Sequence, residues 1–181
     1  MDNNYIFQYW EAIQDGTVTV GKWIKTIYEI LVNGLKSGKW DFDEEKANKA
    51  INFIENFCHH SEGRNDLLKL ELWQKAIVSA IFGIMDKRTG YRQFREVFIV
   101  VARKNGKTLF AAAIAAYMAY IDGEYGAKVY FLAPKLDQAD LVYDAFYQIV
   151  QADDELDSIT KKRRSDIYIK EFNTSVKKIA F

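Results

Sequence analysis

The stretch Val97-Phe98-Ile99-Val100-Val101-Ala102-Arg103-Lys104-Asn105-Gly106-Lys107-Thr108 joins an apolar run to a Gly-Lys-Thr triplet. Its first six residues are typical of a strand buried on both faces of a parallel sheet. The apolar run from Thr108 to Ile121 predicts a buried helix. At a strand-to-helix turn, such a triplet holds phosphates through backbone N–H groups and the Lys ammonium, while the Thr hydroxyl takes magnesium. The stretch therefore predicts a nucleotide-binding α/β domain.

The loop departs from the full Walker A pattern G-x-x-x-x-G-K-[ST], because Val101 stands where the first glycine belongs. An alternative is a helix start capped by Thr108, with Lys107 in solvent. However, three cations at a helix N-terminus oppose the helix dipole unless an anion binds there. The predicted nucleotide-binding residues of the loop are Ala102, Arg103, Lys104, Asn105, Gly106, Lys107 and Thr108.

Composition bounds the class of protein. The chain has 181 residues, 49% of them hydrophobic and 28% charged, with a formal net charge of zero. This suits one domain of ordinary size with at most a small appendage, and it argues against a wholly basic nucleic-acid coat. The single cysteine, Cys58, excludes a disulfide framework and a thiolate metal cluster. We see no signal peptide and no apolar run long enough to span a bilayer, and we expect a cytosolic protein without a membrane partner.

The remaining pattern places helices before the sheet. The expected N-terminal helices are 5–14, 20–36 and 42–57, the last with Asp41 as N-cap and Glu44 as its N3 partner. A polar loop, Ser61–Asp66, suggests a boundary between an N-terminal helical region (1–62) and a partial P-loop core (63–181).

The expected elements of the core alternate between helix and strand. They are a helix over 72–84, the strand 97–102, a helix over 108–121, a strand over 128–133, a helix capped by Asp137 that reaches Gln151, and a hairpin of 167–172 and 176–181 around Asn173. Consecutive strands with helical crossovers predict parallel pairing. The predicted fold is a P-loop NTPase-like parallel sheet, incomplete, preceded by helices.

Four segments together resemble the N-terminal ATPase part of the large terminase subunit of tailed bacteriophages. They are the loop 102–108, Leu70-Glu71-Leu72-Trp73-Gln74, Thr89–Arg95, and Asp122–Ala127 with the following Val129-Tyr130 and Asp137-Gln138-Ala139. The family uses the same variant loop, which accounts for Val101. The resemblance covers nearly the whole chain.

The resemblance implies an ATP-driven motor that moves viral double-stranded DNA into a capsid, in the cytoplasm of the bacterial host. The implied partners are a portal protein, a small terminase subunit and further copies of the chain. Lys107 would contact the β- and γ-phosphates, Thr108 the Mg²⁺ ion, and Arg103 the γ-phosphate, so Arg103 and Lys107 are the expected catalytic residues.

Further roles follow from the same resemblance. Gln74 would recognise adenine with Trp73 packed nearby, since an amide matches adenine N6 and N7. Gln138 would couple nucleotide state to DNA. The basic run Lys161, Lys162, Arg163 and Arg164 would contact DNA phosphates. The alternatives are a core Trp beside a solvated Gln, an exposed helix residue, and a solvated charged face.

Phosphoryl transfer also requires an acidic residue on a later strand. The family carries this Walker B strand, and then a nuclease domain, after the region that the chain covers. We interpret the chain as an amino-terminal fragment with little or no turnover alone. Two other interpretations stay open: an adenine-nucleotide or DNA-binding module without hydrolysis, and a helical packing domain on a small α/β core.

Overall fold

The computed structural model describes residues 4–60, 63–64 and 66–180. Its contacts divide the chain into two compact units, the first comprising the residues up to Asn52 together with Leu70–Ile99, and the second Phe53–Lys69 with the residues from Val100 onward. The predicted boundary at residues 62 and 63 falls beside positions 61, 62 and 65, which lie outside the described residues, and it stays a prediction.

The first unit is mainly helical. Its elements are α1 (Tyr5–Gln14), α2 (Lys22–Lys36), β1 (Asp41–Phe42), the start of α3 (Glu44–Phe57), α4 (Leu72–Gly83) and β2 (Ile84–Met85). Strands β1 and β2 form a small antiparallel pair. The core of this unit consists of apolar side chains from α1, α2, α4 and β2: Ile6, Tyr9, Ile13, Tyr28, Leu31, Val32, Ala76 and Ile84. The predicted helices are therefore confirmed within a few residues.

One feature of this unit differs from prediction. Asp41 does not cap α3, because it belongs to β1, and the Asp43 Oδ1 accepts the Lys46 N–H at 3.0 Å instead. Helix α2 carries apolar side chains that are not buried, since Trp23 is 73% exposed and Ile27 and Ile30 are exposed beside it. Helical spacing places these residues on one face but does not say which face is buried.

The second unit is a four-stranded mixed sheet with helices. Its elements are α5 (Lys107–Tyr120), β3 (Lys128–Ala133), α6 (Leu136–Ala152), α7 (Asp154–Ile159), β4 (Thr160–Lys162), β5 (Ile167–Ile169) and β6 (Thr174–Ala180). The strand order is β3-β6-β5-β4, with β3 and β6 parallel and the other neighbours antiparallel. Helix α6 packs against α5, β3 and β6. The α/β class and the closing hairpin are confirmed, while Asp137 lies in the first turn of α6, after Lys135 at the N-cap.

Residues 97–102 do not form the predicted buried strand. Their backbone forms neither a helix nor a strand, and Phe98 is 92% and Val100 79% exposed. A strand requires a neighbouring strand that hydrogen-bonds its N–H and C=O groups. Among the described residues, β3 pairs with β6 and not with residues 97–102. The apolar residues of 97–102 have high β propensity, but propensity does not determine which strand they pair with. This segment carries the chain from the first unit into the second.

Among the described helices, none combines the length and the apolar character that a membrane crossing requires.

Candidate nucleotide-binding site

The loop that precedes α5 is exposed along its length. Ala102 to Lys107 are exposed and Thr108 is half-buried. Two residues adopt left-handed backbone conformations, Lys104 with φ 66° and Gly106 with φ 65°. Glycine adopts this conformation freely, whereas a lysine in it costs about 1–2 kcal/mol. The loop therefore bends sharply twice just before the helix begins.

Asn105 braces the loop from within. Its Nδ2 donates to the backbone oxygens of Ala102 at 3.3 Å and Arg103 at 3.2 Å. Both bonds lie inside the loop and fix its local shape. A contact between Asn105 and a bound anion would therefore come from its backbone N–H group.

The N-terminus of α5 offers donors to an anion. Gly106 is the N-cap and provides no side-chain hydrogen bond, and the first bond that closes the helix runs from the Phe110 N–H to the Gly106 oxygen at 2.9 Å. The N–H groups of Lys107, Thr108 and Leu109 therefore have no acceptor within the helix. Together with the positive end of the helix dipole, these N–H groups are suited to bind a phosphate group. Gly106, rather than Thr108, is the N-cap of the helix.

The charged side chains around the N-terminus of α5 all have the same sign. Arg103, Lys104 and Lys107 are exposed, and none of them forms an ion pair with a carboxylate in the part of the chain that the structure describes. Cations at a helix N-terminus disfavour the helix by a few tenths to about 1 kcal/mol each. An anion bound between them would remove this cost, so the loop is suited to a polyphosphate.

A metal ion at the loop would depend on that polyphosphate. Within the described residues, no group of three or more His, Cys, Asp or Glu side chains could hold a metal. Mg²⁺ is commonly held by one or two protein oxygens together with substrate phosphates and water. The hydroxyl of Thr108, in the first turn of α5, fits the role of such a single protein ligand.

Trp73 and Gln74 lie in the other compact unit, in the first turn of α4. Gln74 is buried, and its Oε1 accepts the backbone N–H of Glu71 at 2.9 Å in a capping box. Trp73 packs against the core of the first unit. Reading an adenine with both ends of the Gln74 amide would require this cap to open.

The predicted coupling and DNA residues have separate surroundings. Gln138 is exposed in the first turn of α6. In the basic run, Lys162 lies 4.0 Å from the ring centroid of Tyr147, while Arg163 forms two 2.6 Å hydrogen bonds with Asp166. Lys161 and Arg164 are exposed. The basic run therefore contains two kinds of residue. Lys162 and Arg163 have partners within the unit, whereas Lys161 and Arg164 are exposed.

The structure also shows a polar cleft that sequence reasoning missed. It has a volume of about 360 Å³ and is lined by Gly126, Lys128, Arg163, Asp166, Tyr168, Asn173, Ser175 and Lys177. The Tyr168 hydroxyl donates to Asn173 Oδ1 at 2.9 Å. Lys128 in β3 and Lys177 in β6 are isolated polar positions in the sequence, and only the pairing of these strands brings them to one side of the sheet.

Comparison with known proteins identifies a family and a solved structure of similar fold. A family model described as "Terminase large subunit, ATPase domain" matches residues 72–180, more than half of the chain. The crystal structure of the HK97 bacteriophage large terminase is similar in fold, with a TM-score of 0.64 and 24% identity over 75% of the chain. The chain spans 27% of that protein's length. A search of curated proteins found no match.

Proposed function

The chain belongs to the terminase large subunit family, and we propose that it binds Mg-ATP in loop 102–108 as part of a motor that moves viral DNA into a capsid. The observation that carries the proposal is the loop itself. Three cations without a carboxylate partner among the described residues surround the donor-rich start of α5.

Each loop residue has a role in this proposal. Lys107 bridges the β- and γ-phosphate oxygens, and the N–H groups of the first turn of α5 donate to the same phosphates. Arg103 lies on the exposed rim and contacts the γ-phosphate, where its planar guanidinium can donate two hydrogen bonds. Thr108 provides the hydroxyl for magnesium, which when bound neutralises phosphate charge. Lys104 adds positive charge, and Asn105 keeps the loop in shape.

Adenine recognition is assigned to Gln74, with Trp73 beside it. The capping box holds the Gln74 amide in one orientation, with Oε1 bonded to the Glu71 N–H. This preorganises the side chain but also uses its acceptor. We propose that nucleotide binding exchanges this cap for the adenine edge.

Family membership supports a proposal for the wider assembly. We propose viral double-stranded DNA as the substrate that is moved, a portal protein and a small terminase subunit as partners, a homo-oligomeric motor, and the host cytoplasm as the place of action. Gln138, exposed at the start of α6, is assigned to coupling, and the exposed Lys161 to contact with DNA.

Binding of a fluorescent ATP analogue with magnesium tests the proposal. Lys107→Ala is expected to weaken binding about 10- to 100-fold, the loss for a charge-assisted phosphate contact. Lys170→Ala, an exposed lysine in the turn after β5, removes the same charge from the same unit and is expected to bind as the wild type does. Equal affinity of wild type and Lys107→Ala would overturn the proposal. Phosphate release, measured with and without DNA, distinguishes hydrolysis from binding alone.

A further inference from the structure

One face of the four-stranded sheet carries two rows of polar side chains. Strand register aligns Lys128, Ser175, Tyr168 and Lys161 across β3, β6, β5 and β4. The next row begins with Tyr130 opposite Lys177, and continues to Asp166 and Arg163, where the Arg163 N–H donates to the Asp166 backbone oxygen at 2.8 Å. Because side chains two residues apart on a strand share a face, both rows lie on the same side. We call this side the open face.

Helix α6 covers the opposite face. There Phe131 packs against Tyr143 and Phe146 of α6, with ring centroids 6.3 and 6.0 Å apart. The cations of that face have partners on the same helix. Lys178 pairs with Asp140, and Lys162 lies over the Tyr147 ring. The lysines on the covered side of the sheet therefore have partners on α6.

The open face has an excess of positive charge. Lys128, Lys161, Lys177 and Arg163 oppose Asp166, whose carboxylate is already bonded to Arg163. Lys128 and Lys161 are exposed, and no carboxylate of the described residues pairs with either. The cleft of about 360 Å³ lies in the middle of this arrangement. Its surroundings favour an anionic ligand.

We propose that the open face binds the phosphodiester backbone of double-stranded DNA. Lys, Arg, Ser and Tyr side chains are typical phosphate-contacting groups that fix register without reading sequence. Four strands span about 14 Å between the first and the last, which corresponds to roughly four base steps of rise along the DNA axis at 3.4 Å each. The size and the chemistry of the face therefore match a short length of backbone.

Base stacking is disfavoured at Tyr168. The Arg163 guanidinium lies 4.1 Å from its ring centroid, so one face of the ring is occupied. Single-strand binders present free aromatic faces to successive bases. Contact through phosphates fits the open face better, and the duplex is taken from the proposed function, on which this inference rests.

Fluorescence anisotropy with a labelled duplex tests the inference. Lys128→Gln/Lys161→Gln is expected to bind about 10-fold more weakly, with a salt dependence lowered by about 2 in log–log slope, since each phosphate contact contributes about 0.9. Lys25→Gln/Lys49→Gln removes the same charge from exposed positions on α2 and α3 and is expected to bind as the wild type does. Equal losses in both double variants, or an unchanged Lys128→Gln/Lys161→Gln, would overturn the inference, as would a loss confined to single-stranded DNA.

The same variants separate this inference from the proposed function. Lys128→Gln/Lys161→Gln is expected to bind the ATP analogue normally, and Lys107→Ala to bind duplex DNA to within about twofold of the wild type. If no form of the chain binds ATP while duplex binding still depends on Lys128 and Lys161, the open face is supported and the motor is not. If ATP binding depends on Lys107 but duplex binding ignores the open face, the opposite holds.

Discussion

Arg163 holds Asp166 through two hydrogen bonds of 2.6 Å, from Nε to Oδ1 and from Nη2 to Oδ2. The Asp166 side chain is 4% exposed, whereas that of Arg163 is partly in solvent. The two residues flank the turn between β4 and β5, and the Arg163 N–H also bonds the Asp166 oxygen. A buried carboxylate is thus matched by a bidentate partner that closes the turn.

This pair predicts a pH-dependent part of the stability. The hydrogen bonds from Arg163 hold the pKa of Asp166 below its ordinary value. A lowered folded-state pKa adds stability above the unfolded pKa, and this contribution is lost as the pH falls through the folded pKa. At neutral pH, Asp166→Asn is expected to lower the free energy of unfolding by about 1–3 kcal/mol. Urea unfolding near neutrality and at about pH 3 should show this difference shrinking in acid. A constant difference would contradict it.

Gly106 predicts a coupled effect on the loop and on α5. An added Cβ would meet nothing within 4 Å, so the cost of Gly106→Ala comes from its φ of 65° and from the weaker N-cap preference of alanine. We expect a loss of about 1–2 kcal/mol in unfolding free energy and weaker binding of the ATP analogue, because the helix start shifts. Thermal unfolding and analogue titration measure the two effects.

Gly21 provides the matched control for that substitution. It is also a helix N-cap with nothing within 4 Å of an added Cβ, but its φ is −70°. Alanine adopts that conformation, so Gly21→Ala is expected to cost only the weaker N-cap preference of alanine, about 0.5–1 kcal/mol, and less than Gly106→Ala, which adds the left-handed backbone to the same cost. Equal losses at both glycines would show that the left-handed conformation of Gly106 is unimportant.

Local patterns predicted most of the elements of this chain. Helices α1, α4 and α5 and strand β3 lie within a few residues of their predicted positions, because apolar periodicity and turn residues are local signals. The turn that precedes α5 could also be predicted, since a Gly-Lys-Thr triplet before an apolar helix is contiguous in sequence, while its phosphate-binding role stays a prediction. Its braced and twice-bent backbone could not.

Non-local contacts account for what sequence missed. The parallel partner of β3 is β6, more than forty positions later in the chain. No local sequence pattern in either strand indicates that the two pair. The segment 97–102 has strand composition without a described partner, so its burial was predicted wrongly. The open face has the same origin, because Lys128 and Lys161 come together only through the pairing of four strands.

The close packing around Gly83 in the first unit predicts that a larger residue there destabilises the protein. A Cβ added there would lie 2.6 Å from Phe42 Cε2 and 2.9 Å from the Ala47 Cβ. Both distances are below ordinary contact, so Gly83→Ala should destabilise by about 1–3 kcal/mol through overpacking. Shortening the opposing ring with Phe42→Leu in the same chain is expected to recover part of the loss. Urea unfolding measures both variants, and an unchanged midpoint for Gly83→Ala would refute the contact.

Cys58 predicts a thiol that reports unfolding of the second unit. It is free and fully buried at the end of α3, and burial, with the nearby Asp153 as a smaller cause, raises its pKa to about 12. The reactive thiolate is therefore scarce at pH 8, and the sulfur is shielded as well. Reaction with a disulfide reagent should be at least about 100-fold slower in the native protein than in urea, where the thiol recovers a pKa of about 8.5. Because the folded state keeps the proton, stability should also fall as the pH rises above that unfolded value. A native reaction as fast as that of the unfolded chain would show that Cys58 is accessible.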